Sequence, residues 1–422
     1  MNAVAANQGR TFLRLLAEFR PYLRNDRNLP ARIQQRLAKE KRFGSRDRRL
    51  YRELTYIAVR HLPWIETLLA RSEEEALNAV IWLAEDLPET RPLKQALPPD
   101  WPPLPSTVAA KAAHLGVTES LLPEWFRSHC PAAFESPEID VLATRAPLWL
   151  RLQADDPRSV FEEFTFRQWK WNAAVANPVG PDLASAPHAS ASKRPPLPGA
   201  VEVFTQSDLT KTDSFERGEF EVQDLGSQLL LEAVGPAPGS RWLDACAGAG
   251  GKTLQLARLV GPNGHIDAID PRSTALAELK LRANRARLSQ ITIRQHPPAP
   301  DALYDGVLVD APCSGTGTWR RFPQLKWSAA ETDITTAAQR QKEILARYAN
   351  HVRPGGLLVY ATCSLSHVEN EDVIVDFLAA HPEFTAASFA RTFGATTSPT
   401  GLTILPSLHN TDGYFVAALR RL

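Results

Sequence analysis

The sequence predicts an α/β protein: an open, largely parallel sheet at the C-terminus, preceded by a small α+β domain and an all-helical N-terminal domain. Three observations carry this. Strand and helix patterns alternate regularly from about Phe220 onward, which calls for an open sheet with right-handed crossovers. Short mixed elements run from Pro147 to Phe204, and strand signals are rare before about residue 145. A chain of 422 residues also exceeds what one hydrophobic core usually organises. The expected domains are 1–130, 131–219 and 220–422.

In chain order, Phe12, Leu15, Leu16 and Phe19 recur at helical spacing, and Pro21 stops the run. Residues 29–69 read as helices, with Leu50, Leu54, Ile57, Ala58 and His61 on one face, and 73–83 as another. The proline-rich stretch 97–103 reads as a loop. In the middle region, 148–152, 173–179 and 201–204 are strand candidates, and 157–164 is a short helix. Residues 181–198, rich in Pro, Ala and Ser, suggest an exposed excursion. In the last region five strands are expected at 242–245, 265–269, 291–295, 306–309 and 356–360, with helices at 253–260, 274–288 and 372–380 and a long helix ending near Val352. The fourth strand is nearly all apolar, as one buried on both faces should be. Two more strands, 402–405 and 414–419, close the chain.

Apolar residues make up 44% and charged residues 23%, ordinary proportions for a globular protein. The net charge is only +1, yet the first 60 residues hold 15 Lys and Arg against 5 Asp and Glu. That concentration suits a nucleic-acid footprint or simply a solvated helical surface, and composition leaves both open. The four cysteines, Cys130, Cys246, Cys313 and Cys363, contain no C-x-x-C spacing, which removes zinc-knuckle and thioredoxin-like readings. A disulfide framework is not expected with so few cysteines, and a reducing cytoplasmic setting is. No metal site is expected. Residues 1–20 lack the apolar core of a signal peptide, and no apolar run approaches a membrane span. The same stretch is Arg-rich and amphipathic, so an organelle transit peptide stays open as a lesser reading.

Residues 244–253 read Asp-Ala-Cys-Ala-Gly-Ala-Gly-Gly-Lys-Thr between a strand and a helix. Glycines there let the backbone approach a ligand at the helix N-terminus. A Walker A loop ending in Gly251-Lys252-Thr253 would need glycine where Cys246 stands, and a dinucleotide fingerprint from Gly248 would need glycine or alanine where Thr253 stands. With both phosphate readings weakened, Asp270 at the end of the second strand points to a nucleoside, its carboxylate accepting from ribose hydroxyls. S-adenosylmethionine is the common such ligand. The competing reading of Asp270 is a helix cap ahead of Pro271-Arg272-Ser273.

The fourth strand ends in Asp310-Ala311-Pro312-Cys313-Ser314-Gly315-Thr316-Gly317 and the fifth in Thr362-Cys363-Ser364. Ligands in open α/β sheets gather at the carboxyl ends of strands, where strand order reverses. If the first strand lies beside the fourth and the fourth beside the fifth, both cysteines flank the Gly-rich turn. Two thiols and a carboxyl suit methylation of carbon 5 of cytosine. A thiolate adding at carbon 6 makes carbon 5 nucleophilic, a carboxyl manages the proton and charge changes, and a base then removes the carbon 5 proton. Most free cysteines are simply small buried hydrophobes, which is the reading given to Cys130 and to Cys246, the latter also lining the turn. The bare chemistry leaves open which of Cys313 and Cys363 is the nucleophile.

At these residues the sequence resembles the Sun (Fmu) family of RNA 5-methylcytosine methyltransferases. Gly218 through Asp224 with Ser227-Gln228 is similar to the family's opening block, and Asp244 through Thr253 to its cofactor turn. Asp310 through Gly315, with Pro323 and Lys326-Trp327, is similar to the block bearing the aspartate and first cysteine. Thr362-Cys363-Ser364 with Glu369-Asn370-Glu371 is similar to the nucleophile block, and Asp412-Gly413-Tyr414-Phe415 is also typical. The resemblance implies a Rossmann-like methyltransferase sheet and S-adenosylmethionine as cofactor. Cys363 would be the nucleophile, Cys313 would assist release, and Asp310 would contact cofactor and cytosine. Asp270 would hold the ribose, and Cys246, Ala247, Gly248, Ala249, Gly250, Gly251 and Lys252 would wrap the methionine end and the sugar.

Upstream, Asn28-Leu29-Pro30, Ser45 through Arg48 and residues 54–62 look like the NusB-like helical domain that precedes some members. Residues 121–125 and 147–151 look like the lead into the family's small RNA-binding domain. The implied partner is RNA, ribosomal by expectation and single-stranded or looped because the target base must leave its stack, with the protein acting as a monomer. There are two departures. The turn has Gly248-Ala249 where alanine-proline is usual, and Gln295-His296-Pro297-Pro298 stands where an aspartate usually meets the adenine, leaving Asp301 as a substitute. The alternatives are a transfer RNA cytosine-5 methyltransferase, an amino-group methyltransferase (which would want an aromatic after Asp310-Ala311-Pro312) and a non-catalytic RNA-binding protein.

Overall fold

A computed structural model of the chain describes residues 3–174 and 195–422. The chain divides into two units. One runs up to Arg145 and takes in Thr318–Glu331; the other comprises Ala146–Gly317 and Thr332–Leu422.

The first unit is helical. Ala3–Phe19, Leu29–Lys39, Ser45–Arg60, Leu62–Arg71 and Glu73–Leu83 pack their apolar stripes around Phe12, Leu15, Leu54, Ala58, Trp64, Ile65 and Val80. The expected 29–69 stretch is therefore three helices. It breaks at residues 40–44 and again at His61, which leaves helical geometry at φ −109°. Pro30 sits in the first turn of its helix, where its missing N–H costs nothing. Ser72 caps the last of the five by accepting from the amides of Glu74 and Glu75, and three glutamates in that first turn suit the helix dipole.

The segment Thr318–Glu331 joins this unit through the C-terminal carbonyls of Ser45–Arg60. Trp327 Nε1 donates to Val59 O at 2.6 Å and Lys326 Nζ to Arg60 O at 3.0 Å. These satisfy helix-end acceptors that would otherwise be orphaned. Burial, reinforced by the Arg60 charge, holds the Lys326 amine well below the ordinary lysine range.

The second unit contains two sheets. The smaller is antiparallel, made of β1 (Trp149–Leu152), β2 (Lys170–Ala173), β3 (Ala200–Phe204) and β4 (Phe220–Val222) in the order β2-β3-β1-β4. With the helix Arg158–Phe166 it encloses a core of Leu150, Phe161, Phe164, Trp171, Val203 and Phe220. Of the strand expected at 173–179 only Ala173 lies in β2, which spans Lys170–Ala173; residues 175–179, and 181–194 of the proline-rich stretch, lie outside the described residues. Phe220–Val222, expected to open the C-terminal domain, is the edge strand of the small sheet.

The larger sheet is built from β5 (Arg241–Asp244), β6 (His265–Ala268), β7 (Ile291–Ile293), β8 (Tyr304–Asp310), β9 (Val352–Thr362), β10 (Phe384–Ala386), β11 (Thr396–Thr397), β12 (Leu402–Ile404) and β13 (Tyr414–Arg421). Its order is β11-β12-β13-β9-β8-β5-β6-β7, with β10 also on β13. Strands β5 to β9 are mutually parallel and β13 is antiparallel to β9. The Rossmann-like α/β class expected from sequence is the class observed. The order reverses between β5 and β8, so the carboxyl ends of β5, β8 and β9 form the crevice. Several bounds shift in detail: the long helix ends at Ala349, β9 starts at Val352, the helix expected at 274–288 ends at Arg285 and the strand expected at 291–295 ends at Ile293. Among the described residues no helix is long and apolar enough to cross a membrane.

Candidate active site

The Gly-rich turn leaves β5 and enters the helix Gly251–Val260. Its first anchor is Asp244, the last residue of β5, whose carboxylate accepts from Thr253 Oγ1 at 2.7 Å and from the Cys246 amide at 3.3 Å. Burial pushes the Asp244 carboxyl up to about 7 against the Thr253 hydrogen bond, and the nearby Asp310 charge adds to the rise. Gly250 holds φ +93°, and a Cβ there would lie 2.3 Å from Leu279 Cδ1, so no other residue fits without displacing its neighbours. At Gly251 an added Cβ would meet nothing within 4 Å, and the helix start has no side-chain cap. The turn thus presents open space and uncapped amides.

Asp270 lies just past β6. Its carboxylate accepts from the Gly248 amide at 2.9 Å, and from the amide and guanidinium of Arg272 at 2.9 Å. Arg272, itself largely exposed, keeps this carboxyl below the usual range against the effect of burial. The cap of the following helix is Arg272 rather than Asp270. Asp270 therefore holds the turn itself.

The two cysteines meet. Cys313 Sγ and Cys363 Sγ are 3.3 Å apart, beyond the ends of adjacent strands β8 and β9. A hydrogen bond to Cys363, together with burial, raises the Cys313 thiol well above its ordinary value, and either sulfur can be the donor between them. Cys246 is also pushed up by burial and the surrounding carboxylates, which suits an inert thiol. Asp310, at the end of β8, pairs with Lys252 Nζ at 2.8 Å. Burial opposes the Lys252 charge but Asp310 outweighs it, so this amine's value is raised. Cys130 is buried in the helical unit. Among the described residues no group of three or more His, Cys, Asp or Glu could hold a metal.

A buried carboxylate clasps the two cysteine loops. Glu369 accepts from the Ser314 amide at 2.8 Å, the Ser314 hydroxyl, Ser364 Oγ at 2.6 Å and Gln341 Nε2 at 2.9 Å. Ser314 follows Cys313, and Ser364 follows Cys363. Thr316 Oγ1 hydrogen-bonds with Ser364 Oγ at 3.0 Å, and the Gly317 amide donates to Cys363 O at 2.9 Å.

Residues 231–420 match the family model described as 16S rRNA methyltransferase RsmB/F. Over 308 residues the chain is 32% identical to ribosomal RNA small subunit methyltransferase B of Yersinia pseudotuberculosis serotype O:1b, and equally to that of Yersinia pestis bv. Antiqua. The chain is therefore similar to the RsmB/F methyltransferases, most directly over residues 231–420. Each alignment takes in 71% of this chain and 66% of the relative, just under two thirds of the relatives' length. Two solved structures share the fold. One is PH0851, with TM-score 0.68 and 20% identity over 92% of this chain and 93% of that one. The other is a methyltransferase homolog protein from Pyrococcus horikoshii, with TM-score 0.53 and 22% identity over 67% and 89%.

The Gly-rich turn and the segments bearing Asp310, Cys313 and Cys363 thus converge at neighbouring strand ends, whereas Lys326-Trp327 packs in the helical unit, and the structure adds links that the sequence does not display. Glu369 stands out in sequence only as part of Glu369-Asn370-Glu371. The Lys252–Asp310 pair joins two blocks that are far apart along the chain. Asp224, in the opening block, caps the helix Leu225–Val234 and also accepts from Thr411 Oγ1 and the Asp412 amide, beside Tyr414. Asp301 is exposed, and Gln295 to Pro298 follow the end of β7.

Proposed function

We propose that this protein is a member of the RsmB/F family and an S-adenosylmethionine-dependent RNA cytosine-5 methyltransferase acting on ribosomal RNA through a covalent cysteine adduct. The observation that carries this reading is the pair of thiols 3.3 Å apart beside an aspartate held by a lysine of the Gly-rich turn. The open side of the turn at Gly251, its uncapped helix start and Asp270 fit a nucleoside cofactor with an amino-acid tail. Cys246 through Lys252 would line it, with Asp270 at the ribose. When bound, S-adenosylmethionine supplies an electrophilic methyl group.

The chain's residues do the remaining work. The Cys363 thiolate forms a bond to carbon 6 and pushes electron density toward carbon 5, with Asp310 beside the ring to stabilise the charge. Once Cys363 is bonded to carbon, Cys313 releases its proton to water, takes the one on carbon 5, and the bond between Cys363 and carbon 6 breaks. Each cycle therefore ends with Cys313 protonated and Cys363 as thiolate.

Purified protein incubated with methyl-labelled S-adenosylmethionine and RNA from a strain lacking the gene should place label in 5-methylcytosine of small-subunit ribosomal RNA, at a site that bisulfite sequencing locates. Label in any other base would overturn the assignment. Asp270→Ala is expected to weaken cofactor binding by about 1–3 kcal/mol, because it removes the ribose acceptor and the anchor of the Gly248 amide. An unchanged dissociation constant by titration calorimetry would leave Asp270 a purely local brace.

The helical residues 1–130, NusB-like on this reading, and the small α+β residues 131–219 bind the RNA electrostatically. The protein works as a cytoplasmic monomer. Arg10, Arg48 and Arg52 are exposed on the basic helices. Replacing all three by Ala should weaken RNA binding and lower the slope of log affinity against log salt, by roughly 0.7 for each phosphate no longer neutralised. Cofactor affinity should be unchanged. An unaltered salt slope would show that these helices do not touch RNA.

A further inference from the structure

The opening block 218–224 carries no assigned role in the chemistry, yet Glu221 is linked to the Gly-rich turn through Arg282. Glu221, in β4, is 2% exposed and accepts from Arg282 Nη2 at 2.9 Å, from Arg282 Nε at 3.2 Å and from Arg285 Nη2 at 2.5 Å. Arg282 is on the helix Ser273–Arg285 and has a further N–H to use. Its Nη1 donates to the carbonyl of Ala249 at 2.7 Å, between the left-handed Gly248 and Gly250. The block lies flush on that helix: a Cβ at Gly218 would come 2.2 Å from Arg285 O, so only glycine lets β4 approach. Arg285 stacks its guanidinium 3.8 Å over Phe215, which fixes the other side of Glu221.

We propose that Arg282 is a positioning residue for the cofactor: it ties the Ala249 carbonyl of the Gly-rich turn to Glu221 of the small sheet. The inference rests on the cofactor reading above. The turn has two left-handed glycines on either side of Ala249 and is intrinsically permissive. A charge-assisted hydrogen bond to the one carbonyl between them selects a single conformation before the ligand arrives. The forked guanidinium is required because one side chain must grip a carboxylate and a carbonyl at once, which an ammonium on a flexible stem does less well.

The test uses the full chain and measures S-adenosylmethionine affinity by calorimetry, with steady-state kinetics alongside. Arg282→Gln should weaken the cofactor about 10-fold and raise its KM in proportion, while kcat at saturating cofactor stays within about twofold. Arg282→Lys should recover part of the loss, because lysine reaches one partner but not both. Glu221→Gln should weaken binding through Arg282 without touching the turn. A folded Arg282→Gln protein with wild-type affinity and KM would overturn the proposal, as would a fall in kcat alone. If Arg282→Gln does not fold, Arg282→Lys and Glu221→Gln are read by the same criteria. Wild-type protein that fails to bind S-adenosylmethionine would instead sink the cofactor reading, and this inference with it.

Discussion

Replacing Cys363 by Ser is expected to abolish methylation and covalent RNA adducts together, by roughly 1,000-fold or more, since a hydroxyl of much higher pKa cannot make the first addition. Cys313→Ser is expected to give a different result. Addition and methyl transfer proceed through Cys363, but the group that removes the carbon 5 proton is lost, and the enzyme accumulates as a protein–RNA adduct that survives a denaturing gel. The geometry sharpens this contrast. The two sulfurs lie 3.3 Å apart, so both can reach the same pyrimidine and each substitution removes one thiol from a shared site. A trapped adduct in the Cys363 variant rather than the Cys313 variant would reverse the roles. Methylation that persists in both, with no adduct, would remove covalent catalysis altogether.

The second large effect is expected at Glu369, which is fully buried and accepts four hydrogen bonds from the loops carrying both cysteines and from Gln341. Glu369→Ala leaves these donors facing a cavity, and a broken buried network of this kind costs about 3–5 kcal/mol. The thiols would no longer be held together, so methylation should fall roughly 100-fold or more even where the protein stays folded. Urea unfolding gives the stability loss, and single-turnover methylation below the transition gives the activity loss. An Ala variant that is as stable and as active as wild type would show that the cysteine loops hold their geometry without the clasp. Glu369→Gln should be milder but still damaging, because its amide turns two donors toward Ser314 or Ser364.

The local grammar of the sheet is legible in the sequence for identifiable reasons. Val307, Leu308 and Val309 read as a strand because a strand buried on both faces must be continuously apolar, and all three are fully buried. The helix 73–83 is readable to the residue because Ser72 and the acidic first turn mark its start. Harder are β10 and β11, of three and two residues, too short to show any alternation. Phe220–Val222 reads as the opening of the large domain because nothing in three residues says which sheet they join. Thr318–Glu331 looks like part of the C-terminal region, whereas its Lys326 and Trp327 answer the carbonyls at the end of a helix more than 250 residues earlier.

For this protein the sequence alone determined the α/β class, the Gly-rich turn and the identity of the chemical groups: two cysteines and an aspartate at strand ends, and a second aspartate past the next strand. These are properties of short windows, set by side-chain periodicity and by the backbone freedom of glycine. Tertiary structure alone decided which strands lie side by side. The pairing β5-β8-β9 brings together thiols 50 residues apart, aligns Lys252 with Asp310 and lets Glu369 reach both cysteine loops, while β6 beside β5 lets Arg282 reach Ala249. Strand adjacency is a long-range choice governed by packing both faces of the sheet at once, and no local pattern encodes it.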